Sequence, residues 1–182
     1  MKPKVSKKIL DLIKRNRGIK LDLGCGESRQ EGFVGLDRRK CKNVDIVHDI
    51  EKFPFPLPAG CCTMILCSHL IEHIDPSKMI DLFDELWRIL EEKGQLLISM
   101  PYGASYGFQQ DPTHKNMCNE ATWTYYDPDH GLYEIYRPLP WKIERSTWFA
   151  TGNMEVIMIK RPKSYRGAYS VRGEGASNYA KS

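Results

Sequence analysis

Two kinds of residue in this 182-residue chain could do chemistry together: strand-ending glycines and acids, and a later set of histidines. Leu21-Asp-Leu-Gly-Cys-Gly26 is an apolar, strand-like run that breaks at two glycines. Gly24 and Gly26 lack side chains where a backbone must turn sharply and touch a ligand. Gly35-Leu-Asp37 and His48-Asp49-Ile50 each carry an aspartate at or next to the end of a short apolar run. A carboxylate so placed can accept hydrogen bonds from a ligand bound beyond the strand ends. Leu66-Cys-Ser-His-Leu-Ile-Glu-His73 and Asp111-Pro-Thr-His114 then supply imidazoles able to move a proton. Together these residues describe a nucleotide site next to a place for acid–base work.

The nucleotide is not a dinucleotide by this pattern. A dinucleotide fingerprint needs a third glycine for close helix–strand packing, and Arg29 stands there. No Gly-Lys-Ser/Thr phosphate loop occurs. The link from Leu23 to Phe33 is also short for a parallel crossover, which normally takes a dozen or more residues. Residues Glu27 to Gly32 therefore read as a single turn where a helix is usual.

The elements that must hold these residues alternate. Ser6 caps a helix with Ile9, Leu10 and Ile13 at helical spacing, ended by Gly18. Strands are expected at Ile19 to Leu23, Phe33 to Asp37, Asp45 to Ile50, Thr63 to Ser68 and Gln95 to Met100. A helix starts after Asp75, with Pro76 first and Met79, Ile80, Phe83, Leu86, Trp87 and Leu90 on one stripe before Gly94. Residues 101–140 lack strong periodicity apart from a short helix near Asn119 to Tyr126, and read as a functional insertion. Lys142 to Phe149 and Met154 to Lys160 form a closing antiparallel hairpin. The expectation is a single-domain α/β fold: an open, mostly parallel twisted sheet with helices on both faces and a C-terminal hairpin. Residues 1–18 are a basic helix, 19–162 the Rossmann-like domain and 163–182 a disordered basic tail. Ligands of such sheets sit beyond the strands' carboxyl ends, which places Gly24, Asp37, Asp49, Ser68, His69 and Pro101 on one rim.

The motifs at 21–26, 35–37, 48–50 and 66–73, in that order, resemble those of class I S-adenosylmethionine-dependent methyltransferases. Within that family the stretch ending in Glu72-His73 resembles the small-molecule, quinone-biosynthesis-like branch. The resemblance spans roughly residues 19–101 and the closing hairpin, and implies S-adenosylmethionine as cofactor. It implies that Asp22 helps fix the methionine ammonium and that Gly24, Cys25 and Gly26 form the cofactor turn. Asp37 would bind the ribose, Asp49 the adenine amino group, and Ile50 the adenine ring, with Ser68 on the same rim. Thr63 departs from the family, which often has an acid there. Methyl transfer from a sulfonium is an in-line displacement that needs alignment and dryness, and no metal. If the acceptor is a hydroxyl, His69, Tyr102 and His114 are the candidate bases, with His73 on the following helix in a local packing role.

Composition narrows the partners. The six cysteines show no paired zinc spacing, and several lie in apolar strand context, where a free thiol behaves as a small hydrophobe. A metal site drawn from Cys61, Cys62, Cys67, His69 and His73 is disfavoured, because neighbouring strand residues point to opposite faces. No run is long and apolar enough for a membrane span, so the expectation is a soluble cytoplasmic protein. The net charge of +4 is uneven: residues 1–20 hold eight Lys or Arg against one acid, and residues 160–182 six against one. Nucleic acid could meet those basic ends and the aromatics Trp123, Tyr125, Tyr126, Tyr133 and Tyr136, which could equally be core or lid. Base-flipping adenine or cytosine enzymes carry Asp/Asn-Pro-Pro-Tyr where Ser68-His-Leu-Ile stands, and no cysteine follows Pro or Thr as in cytosine C5 enzymes. The favoured acceptor is therefore an O or N atom of a polar small or conjugated molecule. A nucleic-acid- or protein-directed enzyme, or a noncatalytic binding protein, are the alternatives.

Overall fold

Seven strands make one sheet in the computed structural model, which describes residues 5–167. Expectations for residues 1–4 and 168–182, and so for most of the basic tail, lie outside the described residues. The strands are β1 (Ile19–Leu23), β2 (Val34–Asp37), β3 (Ile46–Val47), β4 (Cys62–Ser68), β5 (Leu90–Pro101), β6 (Trp141–Trp148) and β7 (Asn153–Lys160). Their order is β3-β2-β1-β4-β5-β7-β6, parallel from β3 to β5 and antiparallel at β5–β7 and β7–β6. The chain runs outward from β1 to β3, then returns to place β4 on the other side of β1. The β1/β4 boundary is thus the switch point beyond which such a sheet binds its ligands.

Burial explains why these strands pair. Leu21, Leu23, Leu36, Ile65 and Leu96 are fully buried, and each such side chain contributes about 1.5–3 kcal/mol of transfer free energy. The strand expected at Asp45 to Ile50 is shorter than expected. Only Ile46 and Val47 pair, because Asp45 turns its carboxylate to Arg29 and the Gly35 amide, and Val47 is exposed at the sheet edge. β5 is longer than expected: Leu90 already pairs with Cys62, and the pairing slips before resuming at Met64 and Gln95.

Helix α1 (Lys7–Asn16) starts at Ser6, whose side chain accepts from the Ile9 amide, and ends at Arg17 in the left-handed region. Helix α2 (Met79–Ile89) crosses from β4 to β5. Asp75 caps the 3₁₀ turn Pro76–Lys78 in front of it, so the Asp75-Pro76 start signal is read one turn ahead of the helix proper. Met79, Leu82, Phe83, Leu86 and Ile89 are its buried face, and it stops at Ile89 because Leu90 is extended, not at Gly94. Phe83 packs against Trp123, Tyr126 and Trp141, so Trp123 and Tyr126 are core. The insertion holds three short helices, α3 (Tyr106–Gln109), α4 (Glu120–Thr124, capped by Asn119) and α5 (Tyr133–Tyr136).

The β1–β2 link, residues 24–33, contains no helix. Cross-ties replace it. The Asp22 carboxylate accepts from the Gln30 amide at 2.7 Å, and Arg29 pairs with Asp45 at 2.6 Å. Asn43 donates to the Glu27 carbonyl at 2.6 Å, while Gly24 and Cys25 amides both donate to the Leu36 carbonyl. The residue that occupies the third fingerprint position, Arg29, is thus a strut to the next strands.

Candidate functional site

The glycine turn sits at the switch point. Gly24 and Gly26 take φ of 73° and 52°, in the left-handed region that favours glycine. A Cβ on Gly24 would lie 2.6 Å from Leu70 Cδ1, so the end of β1 touches the chain leaving β4 and leaves no room for a side chain. Cys25 is buried, and a Cβ on Gly35 would meet its Sγ at 2.7 Å, so the thiol points toward β2. Burial, with Asp22 and Asp37 nearby, pushes that thiol up to about 11.

Asp37 ends β2 and is 6% exposed. Its carboxylate accepts from the Gly26 amide (2.9 Å), the Arg39 amide (2.8 Å) and Arg39 Nε (3.2 Å). Burial alone would raise its pKa, but the hydrogen bonds from Arg39 and Gly26 prevail and hold it below the usual carboxylate value. Asp22 is as buried, yet has one amide donor; burial dominates there and its pKa is raised. Asp49 lies beyond the carboxyl end of β3, half-exposed, accepting from the Glu51 amide at 3.2 Å with Lys52 Nζ at 3.4 Å. The Glu51 amide is the main reason that its pKa is lowered. Ile50 is buried beside it.

On the other side of the switch point, Ser68 ends β4 exposed, and His69 takes φ of 49° while its amide donates to the Ser99 carbonyl at 2.8 Å. Beyond it opens a cleft of about 470 Å³ lined by His69, Glu72, His73, Pro101, Asp111 and His114, with the β6–β7 turn at Thr151–Asn153 as the far wall. The volume lies within the range of small-molecule sites. His69 and His114 share this cleft. Tyr102 does not line it: the ring lies tilted against Trp148 with centroids 5.7 Å apart, and a hydrogen bond with Glu120 raises the phenol's pKa.

Two residues of this wall differ from expectation. His73 is not on the following helix but in the 3₁₀ turn Ile71–His73, facing His114 with ring centroids 4.7 Å apart. Glu72 was not singled out from the sequence, yet it is fully buried and both its carboxylate oxygens lack a hydrogen-bond donor. Its place in Leu-Ile-Glu-His was visible; its burial was not. The cysteine expectation also needs correction. Cys61 precedes β4 and is not in the strand, so its Sγ lies 3.7 Å from that of Cys62, both buried.

Comparison with known proteins agrees with this fold. Residues 28–98 match a family described as a methyltransferase domain, a span that begins just past the glycine turn. A SAM-dependent methyltransferase from Archaeoglobus fulgidus superposes with a TM-score of 0.58 at 18% identity, over 85% of this chain and 95% of that one. A 16S rRNA (adenine(1408)-N(1))-methyltransferase from Catenulisporales acidiphilia gives 0.59 at 14% identity, over 87% and 92%. The [4+2]-cyclase SpnF gives 0.54 at 14% identity, over 84% and 80%. No curated protein matches in sequence. The fold is that of the Rossmann-like methyltransferases, and among these neighbours it serves more than one reaction.

Proposed function

We propose that this chain is a class I S-adenosylmethionine-dependent methyltransferase acting on O or N of a polar small or conjugated acceptor. The observation that carries the reading is the switch-point arrangement. A two-glycine turn and the buried Asp37 carboxylate lie on one side, and an imidazole-lined cleft opens on the other. Asp37 takes the ribose hydroxyls in place of Arg39 Nε, a side chain that is mostly exposed and free to swing away. The Asp22 charge and the turn it braces receive the methionine ammonium. Asp49 and the Ile50 backbone hold the adenine, and Ser68 closes the rim.

The acceptor lies in the cleft, where its oxygen or nitrogen attacks the sulfonium methyl. Sulfur leaves with the bonding pair as S-adenosylhomocysteine, and the acceptor proton goes to His69 or His114. His114 is oriented for this. Its Nδ1 meets the Phe108 carbonyl at 2.8 Å, and since a carbonyl only accepts, Nδ1 carries the hydrogen and Nε2 keeps its lone pair. The cleft's size, with Trp123 and Tyr126 in the core, favours a small acceptor over a stacked nucleic acid.

The test joins calorimetry with turnover. Full-length protein should bind S-adenosylmethionine and release S-adenosylhomocysteine when offered extract metabolites, with release insensitive to nuclease. His114→Ala should cut release by about 10²- to 10⁴-fold, the usual range for a proton-transfer residue, with cofactor affinity unchanged. Absence of cofactor binding would overturn the reading; nuclease-sensitive turnover would move it to a nucleic-acid substrate.

A further inference from the structure

We infer that Glu72, His73 and His114 form a divalent transition-metal site, of the kind that takes zinc, in the wall of the cleft. The inference goes beyond the proposed methyltransferase reading by making His114 a ligand and leaving His69 as the base, and it rests on that reading only for the metal's role. One ligand atom from each of the three residues lies within 4.8 Å of the others. Proximity alone does not make a site; the hydrogen bonds around it do.

Each imidazole is held in the tautomer that a metal needs. Thr113 Oγ1 donates to Asp111 Oδ1 at 2.7 Å, so its contact with His73 Nδ1 at 3.1 Å is one in which the hydroxyl oxygen accepts. His73 Nδ1 therefore carries the ring hydrogen and Nε2 a lone pair. His114 is fixed in the same sense by the Phe108 carbonyl. Oxygen acceptors on the distal ring nitrogen are the common support of metal-bound histidine. The third member, Glu72, is 0% exposed with no hydrogen-bond donor to either oxygen, and His69 Nδ1 approaches Oε1 only to 3.4 Å, outside hydrogen-bond geometry. A buried polar group left unpartnered costs about 1–3 kcal/mol, and more when charged. The two imidazoles and a carboxyl without a hydrogen-bond partner thus stand together, with Asp111 Oδ2 3.8 Å from His114 Nε2 as a further oxygen nearby, an arrangement that a cation would complete.

The scaffold is stiff enough to keep it. The Glu72 carbonyl accepts from both the Lys115 and Asn116 amides, and Asn116 Nδ2 donates to the Ile71 carbonyl at 3.2 Å. The turn bearing Glu72 and His73 is thereby stitched to the loop bearing His114. Two imidazoles and one carboxylate match three-ligand zinc sites that keep an open position, whereas magnesium prefers oxygen alone. All three residues line the cleft, so a fourth ligand would come from there. The metal would hold an acceptor oxygen and acidify its hydroxyl, leaving His69 at the rim to take the proton.

The test uses chelator-treated full-length protein titrated with Co²⁺ and then Zn²⁺, with no cofactor or acceptor present. One equivalent of Co²⁺ should give d–d absorption without an intense thiolate charge-transfer band, and Zn²⁺ should displace it. His73→Ala and His114→Ala should each weaken binding at least about tenfold, while His48→Ala should not change it. No binding, a thiolate band pointing to the Cys61–Cys62 pair, or unaltered affinity in both histidine variants would overturn the site. S-adenosylmethionine titrated into the same samples separates the two readings, since metal can bind where the cofactor does not, and the reverse.

Discussion

Replacing Asp37 by Asn tests the cofactor assignment most directly, because the change keeps the side chain's shape and removes its charge and one acceptor. In the structure the carboxylate takes three donors, from the Gly26 amide, the Arg39 amide and Arg39 Nε. The two amides are backbone groups, one in the glycine turn and one in the bend after β2, and stay. Arg39 Nε is the replaceable one, and its place is where a ribose hydroxyl would donate. An Asn amide offers one oxygen and an NH₂ that faces either a backbone N–H or the ribose. At least one charged hydrogen bond to the cofactor is therefore lost, about 1.5–3 kcal/mol. That loss corresponds to roughly 10- to 150-fold in dissociation constant. Calorimetry with S-adenosylhomocysteine reads it without turnover, and a 2′-deoxy analogue supplies the control. Wild type should discriminate against the deoxy analogue and Asp37→Asn should not. The lowered pKa adds a sign: Asp37 contributes stability above the ordinary carboxylate value, and loses it as pH falls through its own lower one. The variant should therefore be less stable than wild type at pH 7, with the gap closing toward low pH. An unchanged affinity for S-adenosylhomocysteine in a folded variant would refute the ribose role.

Asp22 has the opposite sign. Its raised pKa means that the folded chain holds a proton that the unfolded chain has lost, so ionised Asp22 opposes folding as pH rises through that window. Asp22→Asn can still accept from the Gln30 amide, so thermal unfolding at pH 7 should occur at the same or a higher temperature. Cofactor affinity should fall about tenfold or more for want of the charge facing the ammonium. A large stability loss would contradict this account of Asp22. Gly24→Ala meets both a left-handed φ and Leu70 Cδ1 at 2.6 Å. The backbone term alone is roughly 1–2 kcal/mol, so Tm should drop by about 2–8 °C in scanning calorimetry, and unaltered Tm would show that the turn relaxes freely.

How far the chain could be read from sequence depended on what each signal reports. Period-two and period-3.6 apolar patterns report burial on one face, and β1, β4, the core of β5, the closing hairpin and α2 all carry them. The pattern misled where an apolar run meets solvent. Val47 is β-branched in a strand-like run, yet it lies on the edge strand, half-exposed, and the run ends there. Leu90 continues the stripe of α2 in sequence but is extended and paired with Cys62, since the two periods cannot be told apart at a single junction residue. Glu72 shows the deeper limit. Its type and neighbours are plain in Leu-Ile-Glu-His, but its burial follows from the loop at 114–116 folding over it from far along the chain. Contacts made at that separation leave no local periodicity. Cys61 and Cys62 fail for a local reason: the strand starts at Cys62, so Cys61 lies outside it and the alternation of faces does not separate the two thiols.

The missing helix between β1 and β2 decides which ligand the switch point can hold. A pyrophosphate needs free backbone amides at a helix N-terminus and a positive dipole behind them. Here no helix follows β1, the Gly26 amide is already directed at Asp37, and the Gln30 amide at Asp22. The strand ends carry three carboxylates, Asp22, Asp37 and Asp49, of which Asp37 and Asp49 are met by the mostly exposed Arg39 and Lys52, while Arg29 is turned away to Asp45. Such a site repels a doubly charged anion and attracts a cation. S-adenosylmethionine carries a sulfonium and an ammonium against one carboxylate, and no phosphate. A short link that would disable a dinucleotide site is therefore tolerable for the proposed methyl donor. Once Arg29 and Asp45 brace the link, the helix has no remaining electrostatic task at this position.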